Sequence, residues 1–327
     1  MAYRFKLKET LRDGVRRIAS EQLEKALAAP PSEAERPVWV HETRKALKRT
    51  RSMLRCVRSG LDAGTWEREN GALRGIARLL SGMRDRDVLR QTAGKLDASP
   101  RKSMVASLAW LDDAVIAPIG AASSLSTTTE TVPDAVAVVD DALAALADAR
   151  TRLERIPVDG DSADVLAAGL AKAQRAGQEA AANLEAEPTA EHLHDLRKAV
   201  QIYQRQSSLA RAAWPEMQAA RVVAARELAS LLGEAQDMAV LVAAINAQSQ
   251  SDGFNRTHAK RILKACEARQ ASLRDQAKPL TERLFALPPK AVATEITRGW
   301  RAAIEIGSDK PKPSSRGSVR QSRRSPG

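Results

Sequence analysis

The sequence predicts an all-α protein, and three observations carry that prediction. Alanine and leucine are abundant, β-branched residues are scarce, and aromatic residues make up only 3% of the chain, a composition that favours helix over strand. No stretch alternates apolar and polar residues long enough to build a sheet. Apolar residues instead recur at spacings of three and four, which gathers them on one face of a helix. With 327 residues the chain can bury a sizeable core, as one large or two medium domains.

The helices can be placed in order. From about Lys8 to Ala29, Leu11, Val15, Ile18, Leu23 and Leu27 face inward while Arg12, Arg16 and Arg17 lie elsewhere, and Pro30-Pro31 ends the run. A second helix runs from about Glu33 to Arg58 and breaks between Gly60 and Gly64. Thr65 is expected to cap a third. This helix carries Leu73, Ile76, Leu79 and Leu80 on one side and Arg74 and Arg78 on another. Ser81-Gly82 interrupts it, Arg84-Asp85-Arg86-Asp87 opens the next turn, and a further helix spans about Pro100 to Ile116. The small polar run from Gly120 to Thr129 reads as a linker or mobile loop.

Beyond it, a helix from about Val132 to Ile156 precedes one started by Asp161-Ser162, which carries Lys172 and Arg175. Pro188-Thr189 begin another, bounded by Pro215. The segment from Ala219 to Ala247 is helical but for Gly233, and the next helix runs from Arg256 to Lys278, closed by Pro279. After Pro288-Pro289 a short helix reaches about Ile306. The domain reading is therefore a folded body over 1–306, with a first helical half over about 1–119, a linker over about 120–131 and a second half over about 132–306. The tail, 307–327, is rich in Ser, Pro, Lys and Arg and is expected to be disordered.

The most informative stretch is Val40 to Arg58. At about 100° per residue, His41, Arg44, Lys48, Arg51, Arg55 and Arg58 share one flank, while Val40, Thr43, Leu47, Thr50, Leu54, Val57 and Leu61 share another. Lys45 and Arg49 add to the charge, and Glu42 is the only acid. Like charges four residues apart repel by a few tenths of a kcal/mol per pair, so a helix built for solubility alone would mix signs. A surface for a polyanion explains the pattern better than a solvated face.

A second stretch strengthens that reading. His194-Asp195-Leu196-Arg197-Lys198-Ala199-Val200 repeats the order of His41-Glu42-Thr43-Arg44-Lys45-Ala46-Leu47: His, acid, any residue, Arg, Lys, Ala, aliphatic. Downstream, Asp85-Arg86-Asp87-Val88-Leu89 is echoed by Asp237-Met238-Ala239-Val240-Leu241, at nearly the same distance from each His. A match in both order and spacing reads as an internal duplication.

Charge points the same way. The chain carries a net +12. The tail holds six cations and Asp309, leaving +7 for the body, so the excess is not only a tail effect. Cys56 and Cys266 lie far apart without metal-ligand spacing and read as reduced thiols in a cytoplasmic protein. No apolar run approaches the roughly 20 residues a membrane helix needs, so no membrane partner is expected.

His41 and His194 have three readings: metal ligand, general acid/base, or a phosphate-binding or structural residue at the rim of the basic face. The third is favoured, because no second His or Cys sits at helical ligand spacing and no nucleophile is near. Asp85 and Asp237 read as helix caps, or as carboxylates orienting an arginine. No nucleotide, metalloprotease or hydrolase motif is present, and no cofactor or metal is called for. Among alternatives, a helical nucleic-acid binder would suit the charge, but aromatic residues for stacking are few. An enzyme of polyphosphate or phosphate-ester metabolism would need a metal site that these residues do not assemble.

The paired His-x-x-Arg helices, each followed by Asp-x-x-Val-Leu, resemble the CHAD family of histidine-containing α-helical domains, over about Tyr3 to Trp300. The resemblance implies two helical bundles related by an internal pseudo-repeat, with a basic channel between them. It also implies a non-enzymatic protein that binds inorganic polyphosphate and associates with polyphosphate granules in the cytoplasm, taking other polyanions such as nucleic acid only nonspecifically. By position it maps a binding surface onto His41, Arg44, Lys48, Arg49, Arg51 and Arg55 in the first half and onto His194, Arg197 and Lys198 in the second. The neighbouring cations Lys45, Arg74, Arg78, Lys172, Arg175 and Arg205 are further candidates read from the sequence itself. Gln201 and Gln204 occupy the arc that Lys48 and Arg51 fill in the first copy. The first half is therefore expected to dominate, with Lys198 and Arg205 to the side.

Overall fold

The computed structural model describes residues 3–27, 31–80, 85–96, 102–117, 135–251 and 254–308. Among them are eleven α-helices and no strand: α1 (Leu11–Leu27), α2 (Arg36–Cys56), α3 (Ala63–Leu79), α4 (Asp85–Gly94), α5 (Lys102–Leu111), α6 (Ala135–Leu153), α7 (Ser162–Ala186), α8 (Ala190–Leu209), α9 (Pro215–Ala247), α10 (Arg256–Leu284) and α11 (Pro289–Ser308). The protein is all-α, as the sequence predicts. A 3-10 turn, Arg58–Gly60, follows α2, and a π-helical turn, Asp112–Ile116, continues α5. The expected break at Ser81-Gly82, the linker over 120–131 and the tail from Asp309 onward lie outside the described residues.

The helices bury three contiguous cores. The first joins α1, α2, α3 and α6 with the start of α7 and with Val292, Ile296 and Trp300 of α11. The second lies between α7, α8, α9 and the end of α10. The third joins Leu89 and Ala93 of α4 and Leu111, Val115 and Ile116 to Met238, Leu241 and Ile245 of α9 and Ala259, Ile262 and Cys266 of α10. Packing therefore crosses the order of the chain: α6 completes the core of the early helices, while α4 and α5 pack on α9 and α10.

The predicted inner row of α2 is the observed one. Val40, Thr43, Leu47, Thr50, Leu54, Val57 and Leu61 are all buried, and the buried Thr50 hydroxyl donates back to the Ala46 carbonyl at 3.0 Å. Burial of a leucine such as Leu47 or Leu54 contributes about 1.5–3 kcal/mol. That anchors the helix whatever its polar face costs. At the far end of α2, Gly169 of α7 lies directly on the Cys56 backbone, where no Cβ would fit.

Several local expectations change. Asp62, not Thr65, caps α3: its carboxylate accepts from the Thr65 N–H at 2.8 Å, while Thr65 itself is buried. Leu79 is 47% exposed, unlike Leu73, Ile76 and Leu80. Helix α9 begins at Pro215 and runs through Gly233 unbroken, because Leu228, Leu232 and Ala235 hold its buried face on both sides of the glycine. Helix α10 likewise runs through Pro279. An interior proline costs a helix about 3 kcal/mol, and the burial of Leu273, Ala277, Thr281 and Phe285 along one face outweighs it.

Helix α9 also corrects the reading of apolar length. It is long and apolar enough to cross a membrane, with an 18-residue window of mean hydropathy 1.5. Its apolarity is spread over many alanines, which conceals it as a run. Here α9 packs on α8 and α10 and feeds two of the three cores.

Candidate functional site

The two motif helices pack together. α2 and α8 touch near their C-terminal ends, where the Gln206 side chain donates to the Ser52 carbonyl at 3.5 Å. Thr189 caps the start of α8 by accepting from the His192 N–H at 3.1 Å, so the motif begins one turn into a well-set helix. With both inner faces buried, the basic residues of the two helices are brought into one field. Lys48 of α2 acts on His194 of α8, and Arg49 and Arg55 of α2 act on Arg205 of α8.

Helix α3 supplies a second wall. The half-buried Arg51 donates to the Asn70 side chain at 3.1 Å. Burial, then the neighbouring charges of Arg55, Arg74 and Arg78, push its guanidinium down to about 10, still protonated at neutral pH. Burial also lowers Arg55. Arg74 and Arg78 are exposed on α3. Four arginines from two helices thus share one electrostatic neighbourhood.

Arg205 continues that field on the other side of α2. Burial lowers its guanidinium, Tyr3 acts in the opposite sense, and Arg49 and Arg55 lower it further. Its two terminal nitrogens donate to the Gln201 carbonyl at 3.1 Å and the Gln201 side-chain oxygen at 3.4 Å. Arg205 therefore interacts with cations of α2 and shares a cavity lining with Arg49.

Beside it opens a cavity of about 630 Å³, walled by Tyr3 and Arg4, by α2, by α8 and the turn after it, and by α9. Its lining holds six cations, Arg4, Lys45, Arg49, Arg205, Arg211 and Arg226, and no carboxylate among the described residues. Of the six only Lys45 is in an ion pair among the described residues, with Glu42 at 3.2 Å. A second cavity of about 440 Å³, between α7, α8 and α10, is different: its Arg274 and Lys278 are matched by Glu185, Asp275 and Glu282.

The remaining predicted residues take other places. Arg44 donates to the Ala77 and Leu80 carbonyls at 3.0 and 3.1 Å, closing the C-terminal end of α3. Arg197 lies against Gly233 of α9, in the space a side chain there would need. The arginine of each motif thus braces a neighbouring helix. His41 is exposed, 3.9 Å from Glu42. Lys198 pairs with Asp195 at 2.6 Å. Burial first, then Lys198, Arg197 and Lys48, hold the His194 imidazole below its ordinary value against the opposing effect of Asp195. Lys172 and Arg175 are exposed on α7, and no described contact joins them to the cluster.

Asp237 neither caps a helix nor orients a basic-face arginine. It sits within α9 and pairs with Lys95 at 3.5 Å, tying the end of α4 to α9. The Asp85 side chain lies outside the described residues. Sequence reasoning passed over Arg4, Arg211 and Arg226. Each is an isolated arginine outside both motifs, and only the fold brings them to the cavity.

The family model of the CHAD domain matches residues 17–246. This chain belongs to the CHAD family. No curated protein matches it. The CHAD match runs from within α1 to the end of α9, a shorter span than Tyr3 to Trp300. Helices α10 and α11 lie beyond the CHAD span yet fill the cores beneath it, through Leu273, Ala277, Val292, Ile296 and Trp300.

Proposed function

We propose that this CHAD protein binds inorganic polyphosphate along the basic faces of α2, α3 and α8, acts without chemistry on its ligand, and works in the cytoplasm on polyphosphate granules. One observation carries the reading: the half-buried arginines of the site form no ion pair among the described residues, while nine arginines elsewhere in the molecule do. Arg12, Arg17, Arg68, Arg90, Arg150, Arg152, Arg221, Arg269 and Arg301 all form ion pairs. Arg49, Arg51, Arg55 and Arg205 form none among the described residues; after burial, Arg55 lowers Arg51, and Arg49 and Arg55 lower Arg205. Gathering like charges in a partly desolvated site destabilises the free protein, and a bound polyanion removes that cost.

The ligand chemistry follows from the donors. Polyphosphate repeats one charged group and has no sequence to read, so it needs a spaced array of cations and not a shaped pocket for a base. Arginine can bridge two phosphate oxygens with its planar fork, and lysine contributes a point charge. The aromatic ring lining the cavity belongs to Tyr3, which is covered by Arg49 at 5.7 Å. It offers no free platform for a base, which favours polyphosphate over single-stranded nucleic acid.

A competition titration with long polyphosphate, short polyphosphate, DNA and heparin, at matched charge and salt, tests the reading. Long polyphosphate should bind most tightly. Its affinity should fall steeply with salt as counterions are released from several phosphates, and should rise with chain length until the cleft is filled. An affinity indifferent to salt, or equal for pyrophosphate and a long chain, would sink it.

A further inference from the structure

The N-terminal segment lies outside the matched CHAD span, yet it forms one wall of the basic cavity. It is held there by several independent contacts. Phe5 is buried at 1% exposure, and its N–H donates to the Leu209 carbonyl at 3.0 Å. Arg17 donates to the Arg4 carbonyl at 2.8 Å. The Tyr3 hydroxyl donates to the Arg49 carbonyl at 2.7 Å, and the Arg49 guanidinium lies over the Tyr3 ring at 5.7 Å. Burial pushes the Tyr3 phenol above its ordinary value, so it remains a donor. The segment thus reaches both helices that supply the cations: α2 through Arg49, and the end of α8 through Leu209.

Two features make this more than a docked terminus. Arg4 lines the cavity and has no ion pair among the described residues, like Arg211 and Arg226 across from it. Arg4 thus shares the cavity lining with five other cations and no carboxylate among the described residues. Tyr3 in turn touches Arg49 directly and interacts electrostatically with Arg205, two half-buried arginines that line the cavity.

We infer that residues 3–5 are a working part of the anion site: Arg4 is a phosphate-binding residue, and Tyr3 is a positioning residue that holds Arg49 and Arg205 toward the ligand. The inference rests on the polyphosphate reading and extends its site by a wall that the CHAD span does not include. The site then extends from Arg51, Arg55, Arg74 and Arg78 to Arg4, Arg211 and Arg226. A polyphosphate long enough to reach from the α2 and α3 arginines into the cavity gains contacts that a short one lacks.

The test uses the full chain and long-chain polyphosphate, titrated at several salt concentrations, with thermal melting as a check of folding. Arg4→Gln should lower affinity roughly tenfold, as the loss of one hydrogen-bonded charge contact does, and should reduce the salt slope by about one. Tyr3→Ala removes no charge. A fall in its salt slope therefore reports that fewer cations meet the ligand, which a purely structural role would not produce. If Tyr3→Ala melts below the assay temperature, Tyr3→Phe, which keeps the ring under Arg49, replaces it and should lose less affinity than Arg4→Gln. Short polyphosphate should be less affected by Arg4→Gln than long polyphosphate. Unchanged affinity and salt slope in Arg4→Gln, with wild-type binding intact and abolished by Lys48→Glu with Arg51→Glu, overturns the inference and spares the polyphosphate reading. Absence of wild-type binding overturns both.

Discussion

Helices α2 and α8 carry the same seven-residue motif and put it to unequal use. In both, the motif arginine is directed to the frame: Arg44 closes the end of α3, and Arg197 packs on Gly233 of α9. The inner aliphatic positions, Leu47 and Val200, are buried in both. The remaining polar positions diverge. Helix α2 offers Lys48, Arg49, Arg51 and Arg55, whereas α8 offers Gln201, Gln204 and Arg205; the motif lysine is held by the motif acid in both, Lys45 by Glu42 at 3.2 Å and Lys198 by Asp195 at 2.6 Å. One scaffold can therefore be kept while its electrostatic output is changed, because the positions that fix the helices and those that carry the outward charge are different. Part of the imbalance is offset by placement. Arg205, the one strong cation of α8 at the site, is within electrostatic reach of Arg49 and Arg55.

This comparison can be broken most directly on α2. Lys48→Glu with Arg51→Glu reverses two charges at the centre of the surface and should weaken polyphosphate binding on the order of a hundredfold or more at moderate salt. Helicity by circular dichroism should be unchanged, since Leu47 and Leu54, not these side chains, hold α2 in the core. Loss of fold along with binding would show that the pair is structural.

Arg205→Gln is the sharpest probe of α8 and should cost roughly tenfold in affinity, with a salt slope lower by about one. An effect below twofold would mean that its charge is not used, and that α2 and α3 carry the ligand alone.

Gln201→Glu with Gln204→Glu should weaken binding only partly, and Gln201→Lys should strengthen it severalfold by restoring a cation to that arc. Gln201 also accepts from Arg205, so the gain from lysine should appear in the salt slope as well as in the affinity. If the glutamine variant loses as much as the α2 variant, the two motif helices contribute evenly.

The smallest effect expected is a pH dependence centred on His194. Burial, Lys198, Arg197 and Lys48 hold its imidazole below the ordinary value of 6.5, while Asp195 opposes them. A bound polyanion offsets those cations and favours the imidazolium, raising the value in the complex. Binding should then take up a proton, and affinity should rise as pH falls through the bound-state value, levelling off below the free-state value. Calorimetry in buffers of different ionisation enthalpy would detect the proton, and His194→Gln should remove its share. Proton release on binding would refute this sign.

The motif helices were legible because their information is local. Periodicity places Val40, Leu47 and Leu54 on one side of α2 and Lys48 and Arg51 on another, and both placements hold in the folded chain. The caps Asp161 and Thr189 were likewise readable: a short oxygen-bearing side chain before a helix satisfies its free N–H groups. Gly233 and Pro279 misled for the complementary reason. Their intrinsic cost of about 1–3 kcal/mol is a local quantity, and burial along the rest of each helix exceeds it.

The sequence by itself determined that the protein is helical, which face of each motif helix goes inward, and that a dense array of cations must face outward from α2. Those follow from the 3.6-residue period and from the cost of burying charge, and both act within one helix. Only the tertiary structure decided which cations meet. Arg4, Arg49, Arg205, Arg211 and Arg226 are scattered over the chain, and no spacing links them. They share a cavity because the N-terminal segment, α2, α8 and α9 pack around one space. Coulomb interactions depend on distance through that space and not along the sequence.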